Sequence, residues 1–287
     1  MKDDVEKLFL PGGAVLDLSG APLVMGIVNC NDDSFFSPSR ARNEAAVERA
    51  LQLVEDGAGI IDFGGESTRP GASYVSAEEE LERLIPVIEA FRKRSPVPVS
   101  VDTRKAAVAR ASLAAGADII NDISALEDDP FMAPLCAEKG AAVVLMHKKG
   151  TPENMQDKPW YTDAASEVHD YLLQAAARAE HAGIRSSRII LDPGIGFGKR
   201  LEDNLHILNR LAEICRSGYP VLVGLSRKTF IGELTGRPVP ERLAGTLGAN
   251  AYSLLKGAKI FRVHDVKETV DLVKVLYGVV SAGNFNI

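Results

Sequence analysis

A closed (β/α)8 barrel, an α/β fold, is what this sequence predicts, and three observations carry the prediction. One unit recurs along the chain: a helical stretch, a Gly-Ala or Gly-Ile terminator, a short apolar run and then a polar residue. It reads Gly57-Ala58 to Asp62, Gly116-Ala117 to Asn121, Gly140-Ala141 to His147, Gly183-Ile184 to Asp192 and Gly257-Ala258 to Arg262. Glycine after a helix caps the last carbonyls in a left-handed turn. The apolar runs are near-continuous Val, Ile and Leu, as parallel strands buried on both faces require. Adding Leu23–Val28, Val97–Asp102 and Val221–Gly224 makes about eight strands in 287 residues, each followed by a helical segment, which suits a barrel of roughly 250 residues plus additions. The runner-up is an open doubly wound sheet. It wants a dinucleotide fingerprint near its start, and Gly194-Ile195-Gly196-Phe197-Gly198-Lys199 misses both the Gly-x-Gly-x-x-Gly spacing and the Gly-Lys-Ser/Thr of a phosphate loop. That cluster is a mobile or close-approach loop.

In chain order, Phe9 to Asp17 reads as a small hairpin turning at Pro11-Gly12-Gly13 and placed to plug one end of the fold. The run Leu23–Val28 ends at Asn29, and a long polar loop follows. A helix over roughly 43–56 puts Ala46, Val47, Ala50, Leu51 and Val54 on one face and stops at Gly57. The stretch Ile60–Ala72 is the most informative: a buried run ends in Asp62 and opens into a loop where Gly64 and Gly65 permit a turn or close approach. There Arg69-Pro70-Gly71 sets a cation on a stiff-then-flexible hinge. No composition break divides the chain, so a single domain spanning 1–287 is expected.

With 46% hydrophobic and 25% charged residues, the chain can bury a full core. Its net charge of −6 and lack of a basic run argue against nucleic acid or a membrane surface as partner. Cys30, Cys136 and Cys215 are odd in number and widely spaced, which speaks against a disulfide framework or zinc knuckle and for a reducing compartment. The charged amino terminus and the absence of any apolar run of eighteen residues lead to the expectation of a soluble, cytoplasmic protein.

In such a barrel the carboxyl ends of all strands converge on one face, where the site lies. Here those ends carry Asn29, Asp62, Asp102, Asn121 with Asp122, His147, Asp192, Ser226-Arg227-Lys228, and Arg262 with His264. Asp102, Asn121 and Asp192 suit the N–H and C=O edges of a flat heterocycle. Arg227, Lys228, Arg262 and His264 come from the last two strands, where barrels most often bind phosphate. A polar ring bearing a phosphate or pyrophosphate is the expected ligand. Asp62 and Asp122 read equally well as helix N-caps, and His169, His181 and His206 lie in helical segments without ligand spacing.

These residues fall in motifs that run in order along nearly the whole chain: Met25-Gly26-Ile27-Val28-Asn29, Gly64-Gly65-Glu66-Ser67-Thr68-Arg69-Pro70-Gly71, Ser100-Val101-Asp102-Thr103, Ile120-Asn121-Asp122, Leu145-Met146-His147, Leu191-Asp192-Pro193 through Lys199, Ser226-Arg227-Lys228 and Arg262-Val263-His264-Asp265-Val266. On these motifs the chain strongly resembles the bacterial dihydropteroate synthases. The resemblance implies condensation of 6-hydroxymethyl-7,8-dihydropterin pyrophosphate with p-aminobenzoate to 7,8-dihydropteroate and pyrophosphate, with Mg²⁺ on the pyrophosphate. It places pterin binding on Asp102, Asn121, Asp192 and Lys228, with Met146 and Gly224 nearby. Diphosphate and metal positions fall on Asn29, Arg262 and His264, and p-aminobenzoate positions on Thr68, Arg69, Pro70, Phe197, Lys228 and Thr229. Family habit implies a homodimer.

The first loop departs from the family. Asp33-Ser34-Phe35 match, but the loop acid of the family aligns with Ser37, and Asp33-Ser34-Phe35-Phe36 with Arg40 following resembles the mobile sulfonamide-resistance synthases. Lys148-Lys149 stands where Met-Arg is usual. Phe36 or Phe230 is therefore a side chain whose bulk would reject a sulfonamide more than p-aminobenzoate. Two alternatives stay open here: a methyltransferase using methyltetrahydrofolate on the same barrel, and a homologue that only binds pterin.

Overall fold

The chain reverses at Pro11–Gly13, where Gly12 and Gly13 take φ of 71° and 87°, so that β1 (Lys7–Phe9) pairs antiparallel with β2 (Val15–Asp17), Leu8 opposite Leu16. This computed structural model describes residues 6–30, 39–66, 74–150, 155 and 159–282. The expected apolar runs form parallel strands β3 (Leu23–Asn29), β4 (Ile60–Gly64), β5 (Val99–Asp102), β6 (Ile119–Asp122), β7 (Ala142–Met146), β8 (Ile189–Asp192), β9 (Leu222–Val223) and β10 (Ile260–Val263). Their order is β8-β7-β6-β5-β4-β3-β10-β9. A parallel bridge between Leu191 and Val221 joins the two ends of that order, and the Leu191 N–H donates to Pro220 O at 2.9 Å. Closure removes both sheet edges and rules out the open doubly wound alternative.

The helices are α1 (Ser39–Glu55), α2 (Ala77–Arg92), α3 (Ala106–Ala114), α4 (Met132–Lys139), α5 (Ala164–His181), α6 (Leu201–Asn209), α7 (Leu211–Cys215), α8 (Thr229–Thr235), α9 (Leu243–Leu255) and α10 (Val266–Ala282). The first begins at Ser39, ahead of the expected 43. The five glycine terminators named above take φ between 62° and 110°, the left-handed turn that lets each helix stop and the next strand begin. At the start of α2, Ser76 Oγ accepts from Glu79 N at 3.2 Å while Glu79 Oε2 accepts from Ser76 N at 3.2 Å, a reciprocal cap.

Strand side chains alternate between faces, and in a closed barrel one face is the interior. Outward residues such as Ile61 and Phe63, Val99 and Val101, and Val143 and Leu145 pack on the helices, where Phe63 meets Phe91 of α2 edge-on at 5.6 Å. On seven of the eight strands the inward residue at the amino end is apolar, and Met25, Ile60, Ile119, Val144, Ile190, Leu222 and Ile260 form a separate core, with buried Ser100 the inward residue of β5. Leu8, Leu10 and Leu18 complete it from below, so the hairpin does plug the barrel. Burying such a side chain contributes about 1.5–3 kcal/mol. Two residues further along six of the strands the same alternation brings Asp62, Asp102, Asn121, Met146, Asp192 and Arg262 inward at the opposite end. Among the described residues no helix is long and apolar enough to cross a membrane.

Candidate active site

The mouth is organised by Arg262, which projects inward from β10. Its Nε donates to Asp62 Oδ2 at 2.7 Å, and its Nη2 donates to Asp102 Oδ2 at 2.8 Å. Asn121 Nδ2 stands 3.5 Å from the same Asp62 oxygen. Burial pushes the Asp102 carboxyl up to about 7; Arg262 opposes the shift and Asp62 adds to it. Burial likewise disfavours the Arg262 charge, but Asp62 and Asp102 outweigh it and hold the guanidinium above its ordinary value.

Across the mouth, Asp192 at the end of β8 accepts from Gly194 N at 2.7 Å. Burial raises its pKa against the opposing pull of Lys228 and the Gly194 N–H. Lys228 donates to Ile195 O and sits 4.4 Å from the centre of the Phe197 ring. Burial lowers its ammonium to about 8, with Asp192 acting in the opposite direction. Asp102, Asn121, Asp192, Lys228 and Arg262 thus gather at the mouth, where Lys228 and Arg262 both act on the Asp192 carboxyl, with buried Met146 on β7 and Gly224 just past β9.

The glycine cluster after β8 is a close-approach loop. A Cβ at Gly194 (φ +62°) would stand 2.0 Å from His147 O, and one at Gly198 (φ +63°) 2.1 Å from Lys149 O. Buried Lys199 ties the loop down: its Nζ contacts His147 Nδ1 at 2.9 Å and donates to Gly194 O at 2.8 Å and Phe197 O at 3.1 Å. Burial and nearby Lys149 and Lys228 act against its charge, and its pKa lies well below the ordinary value. This anchoring fixes Phe197, and the Gly-x-Gly-x-Gly-Lys spacing was its only signal in the sequence.

His264 turns its Nδ1 to Ser226 Oγ at 3.0 Å, and that hydroxyl also accepts from His264 N at 3.3 Å. Arg227, expected from its strand-end position to face a phosphate with Lys228, Arg262 and His264, is paired elsewhere. Held at φ +56°, it pairs bidentately with Asp265 at 2.9 and 2.7 Å and donates to Pro240 O at 3.1 Å, bracing the loop that carries Lys228. Asp122 likewise serves its turn, accepting from Ser124 N at 2.7 Å and Leu126 N at 3.1 Å, whereas Asp62 turns inward to Arg262. Thr229 opens α8 and is exposed. Phe230 is buried against the helix layer between α6, α8 and α9 and so lies away from the mouth. Asn29 stands exposed at the end of β3. Thr68, Arg69, Pro70, Phe36 and Ser37 lie outside the described residues.

A chain of alternating charges, which no sequence motif marks, runs along the rim. Lys148 meets Asp128 at 2.7 Å and Arg104 meets Asp128 at 3.2 Å; Arg104 also meets Glu66 at 3.2 Å. Lys105 joins Glu66 at 2.5 Å to Glu80 at 2.6 Å. It ties the loop after β4 to those after β5, β6 and β7.

Fold and mouth together define a class, the enzymes that seat a pterin in a barrel, and the family described as pterin binding enzyme matches residues 25–264. The dihydropteroate synthase of Escherichia coli K12 is 49% identical over 278 residues, covering 96% of this chain and 97% of that protein. The dihydropteroate synthase of Xanthomonas albilineans solved with 4-aminobenzoic acid superposes with a TM-score of 0.88 at 46% identity, covering 96% of this chain and 98% of that one. The same enzyme in complex with 7,8-dihydropteroate gives 0.84 at 44% identity, again covering 96% and 98%. The chain belongs to the dihydropteroate synthase family, and the methyltransferase reading has no support among these relatives.

Proposed function

We propose that the protein condenses 6-hydroxymethyl-7,8-dihydropterin pyrophosphate with p-aminobenzoate, giving 7,8-dihydropteroate and pyrophosphate. The observation that carries this reading is the shared wall of the mouth: Arg262 meets Asp102 at 2.8 Å, so an anion site adjoins a ring site as the two parts of the first substrate adjoin each other. Asp192, Asp102 and Asn121 take the polar edge of the pterin, with Met146 and Gly224 beside the ring. Arg262 and His264 face the diphosphate. Lys228, Phe197 and Thr229 receive p-aminobenzoate, together with Thr68, Arg69 and Pro70 of the loop after β4.

The chemistry asks for charge stabilisation more than for a strong base. Breaking the bond from the exocyclic carbon to the diphosphate oxygen leaves a cation delocalised into the pterin. Buried carboxylates at Asp102 and Asp192 favour that positive charge, and Arg262 and His264 favour the departing anion. The aryl amine is neutral at pH 7, so its nitrogen forms the new C–N bond and releases its proton afterwards without a dedicated base.

Mg²⁺ suits this donor set. Asn29 offers one amide oxygen at the end of β3, and among the described residues no three His, Cys, Asp or Glu side chains form a cage. Such a sparse set matches a cation that keeps its waters and takes most other ligands from substrate phosphate. When bound, the ion would offset the negative charge of the leaving diphosphate.

We read the chain 1–287 as one pterin-binding domain, and three free cysteines support a cytoplasmic setting. A homodimer is proposed through the face of α6, α8 and α9, where Leu205, Leu208, Leu234 and Tyr252 line an apolar groove of about 410 Å³ and Leu234 is 56% exposed. Light scattering is expected to give twice the chain mass, reduced by Leu234→Glu. For sulfonamide tolerance Phe36 is the side chain left to test, and Phe36→Ser is expected to gain drug sensitivity with little change in the p-aminobenzoate KM. The reading as a whole is tested by release of pyrophosphate from the pterin diphosphate that depends on p-aminobenzoate and yields dihydropteroate. Absence of that product would overturn it.

A further inference from the structure

Asp62 lies outside every role that the family resemblance assigns, yet it is the most deeply buried acid of the mouth, 0% exposed against 5% for Asp102 and 6% for Asp192. It projects inward from β4, in register with Ser100 of β5 and Ile27 of β3. Its Oδ2 accepts from Arg262 Nε at 2.7 Å and faces Asn121 Nδ2 at 3.5 Å. Its Oδ1 is buried with no hydrogen-bond partner among the described residues. Buried carboxylates that serve structure alone have their oxygens satisfied, and leaving one unsatisfied costs stability. A residue kept at that cost is a candidate for function.

We propose that Asp62 is the positioning residue that fixes the plane of the Arg262 guanidinium against the ring-binding wall, so that a pterin and its diphosphate are gripped in a single register. The proposal deepens the dihydropteroate synthase reading and rests on it. A guanidinium is a rigid planar fork with five N–H donors, and anchoring Nε sets the direction of the others. Nε is committed to Asp62, and Nη2 lies within 2.8 Å of Asp102 and 2.7 Å of Asp62. The Nη1 edge has no carboxylate partner among the described residues and is the edge left for an anion. Arginine and a carboxylate left to themselves favour a bidentate pair. Without Asp62 the guanidinium is free to swing onto Asp102, turning away from the diphosphate. Asn121, a ring-side residue on β6, touches the same Asp62 oxygen, so one carboxylate ties the ring side to the anion side.

The test compares two ligands, the pterin diphosphate and the corresponding pterin alcohol, by calorimetry on wild type, Asp62→Asn, Arg262→Met and the double variant. Asp62→Asn is expected to weaken the diphosphate by about tenfold to a hundredfold, the range for a charge-assisted hydrogen bond. The alcohol, which has no anion to meet Arg262, is expected to weaken by no more than about twofold. The KM for p-aminobenzoate is expected to stay within the same factor. In the Arg262→Met background the Asp62→Asn effect is expected to vanish, because the residue acts through the arginine. Equal weakening of both ligands, or an undiminished effect without Arg262, would overturn the positioning role. Should Asp62→Asn not fold, as judged by its melting curve, Asp62→Ser takes its place in the same cycle. A wild type that makes no dihydropteroate overturns the enzyme reading, whereas a wild type that does, beside an Asp62→Asn variant that binds the diphosphate normally, overturns only this inference.

Discussion

The two ends of the barrel are built from the same eight strands and differ in almost every other respect. At the amino ends the interior is filled by Met25, Ile60, Ile119, Ile190, Leu222 and Ile260 and sealed by the hairpin's Leu8, Leu10 and Leu18. At the carboxyl ends, one alternation further, it holds Asp62, Asp102, Asn121, Asp192 and Arg262. The plugged end gains stability from removing apolar surface from water. The open end gives stability up, because buried carboxylates are desolvated and only partly compensated by one guanidinium. Apolar packing and the polar cluster are thus separated by a step of two residues on the strands that carry Asp62, Asn121, Asp192 and Arg262.

The comparison is broken most forcefully from the plugged end. Leu18→Ala is expected to cost about 2–5 kcal/mol in urea unfolding, as a fully buried leucine does when a cavity replaces it. The KM values of the folded enzyme are expected to be unchanged. A variant equally stable but poorer in substrate binding would erase the distinction between the ends.

At the mouth the effects are expected in the opposite places. Asp192→Asn should leave the melting temperature close to that of the wild type and weaken pterin binding by about 1.5–3 kcal/mol, roughly tenfold to somewhat over a hundredfold in the dissociation constant. Calorimetry on the folded variant checks this directly.

A smaller effect appears in the pH dependence of stability. Burial raises Asp102 to about 7 in the folded chain, opposed by Arg262 and reinforced by Asp62. An unfolded aspartate titrates near 4, so between about pH 4 and 7 the folded state binds more protons. The stabilising contribution of this group is therefore complete below about pH 4 and is lost as pH rises through about 7. Asp102→Asn is expected to flatten that part of the stability curve, measured by denaturant unfolding across the window.

The smallest effect expected is at Phe230. Because it lies in the helix layer and not at the mouth, Phe230→Leu should change the sulfonamide inhibition constant by no more than about twofold. A large change would mean that the layer and the mouth are coupled.

Much of the fold and part of the candidate site are legible in the sequence. The glycine terminators and Val/Ile/Leu runs marked all eight strands, because capping and burial on both faces are local requirements written into a few consecutive residues. Strand-end position also puts Asp102, Asn121, Asp192, Lys228 and Arg262 on one face. Strand-end position does not reveal that Arg227 pairs with Asp265, nor does the choice between Phe36 and Phe230 reveal that Phe230 packs in the α6–α9 face, because both are set by how loops and helices pack.

The sequence by itself determined the barrel, its plug and which strand ends carry polar groups, since each depends on short-range pattern. Only the tertiary structure decided which polar groups meet. Asp62 finds Arg262 across 200 residues, Lys105 finds Glu66 across 39, and Lys199 finds His147 across 52. The physical reason is closure: a carboxylate at a strand end is equally compatible with a cap, a surface pair or a buried cluster until the barrel brings a cation within about 3 Å of it, and no local pattern encodes that distance.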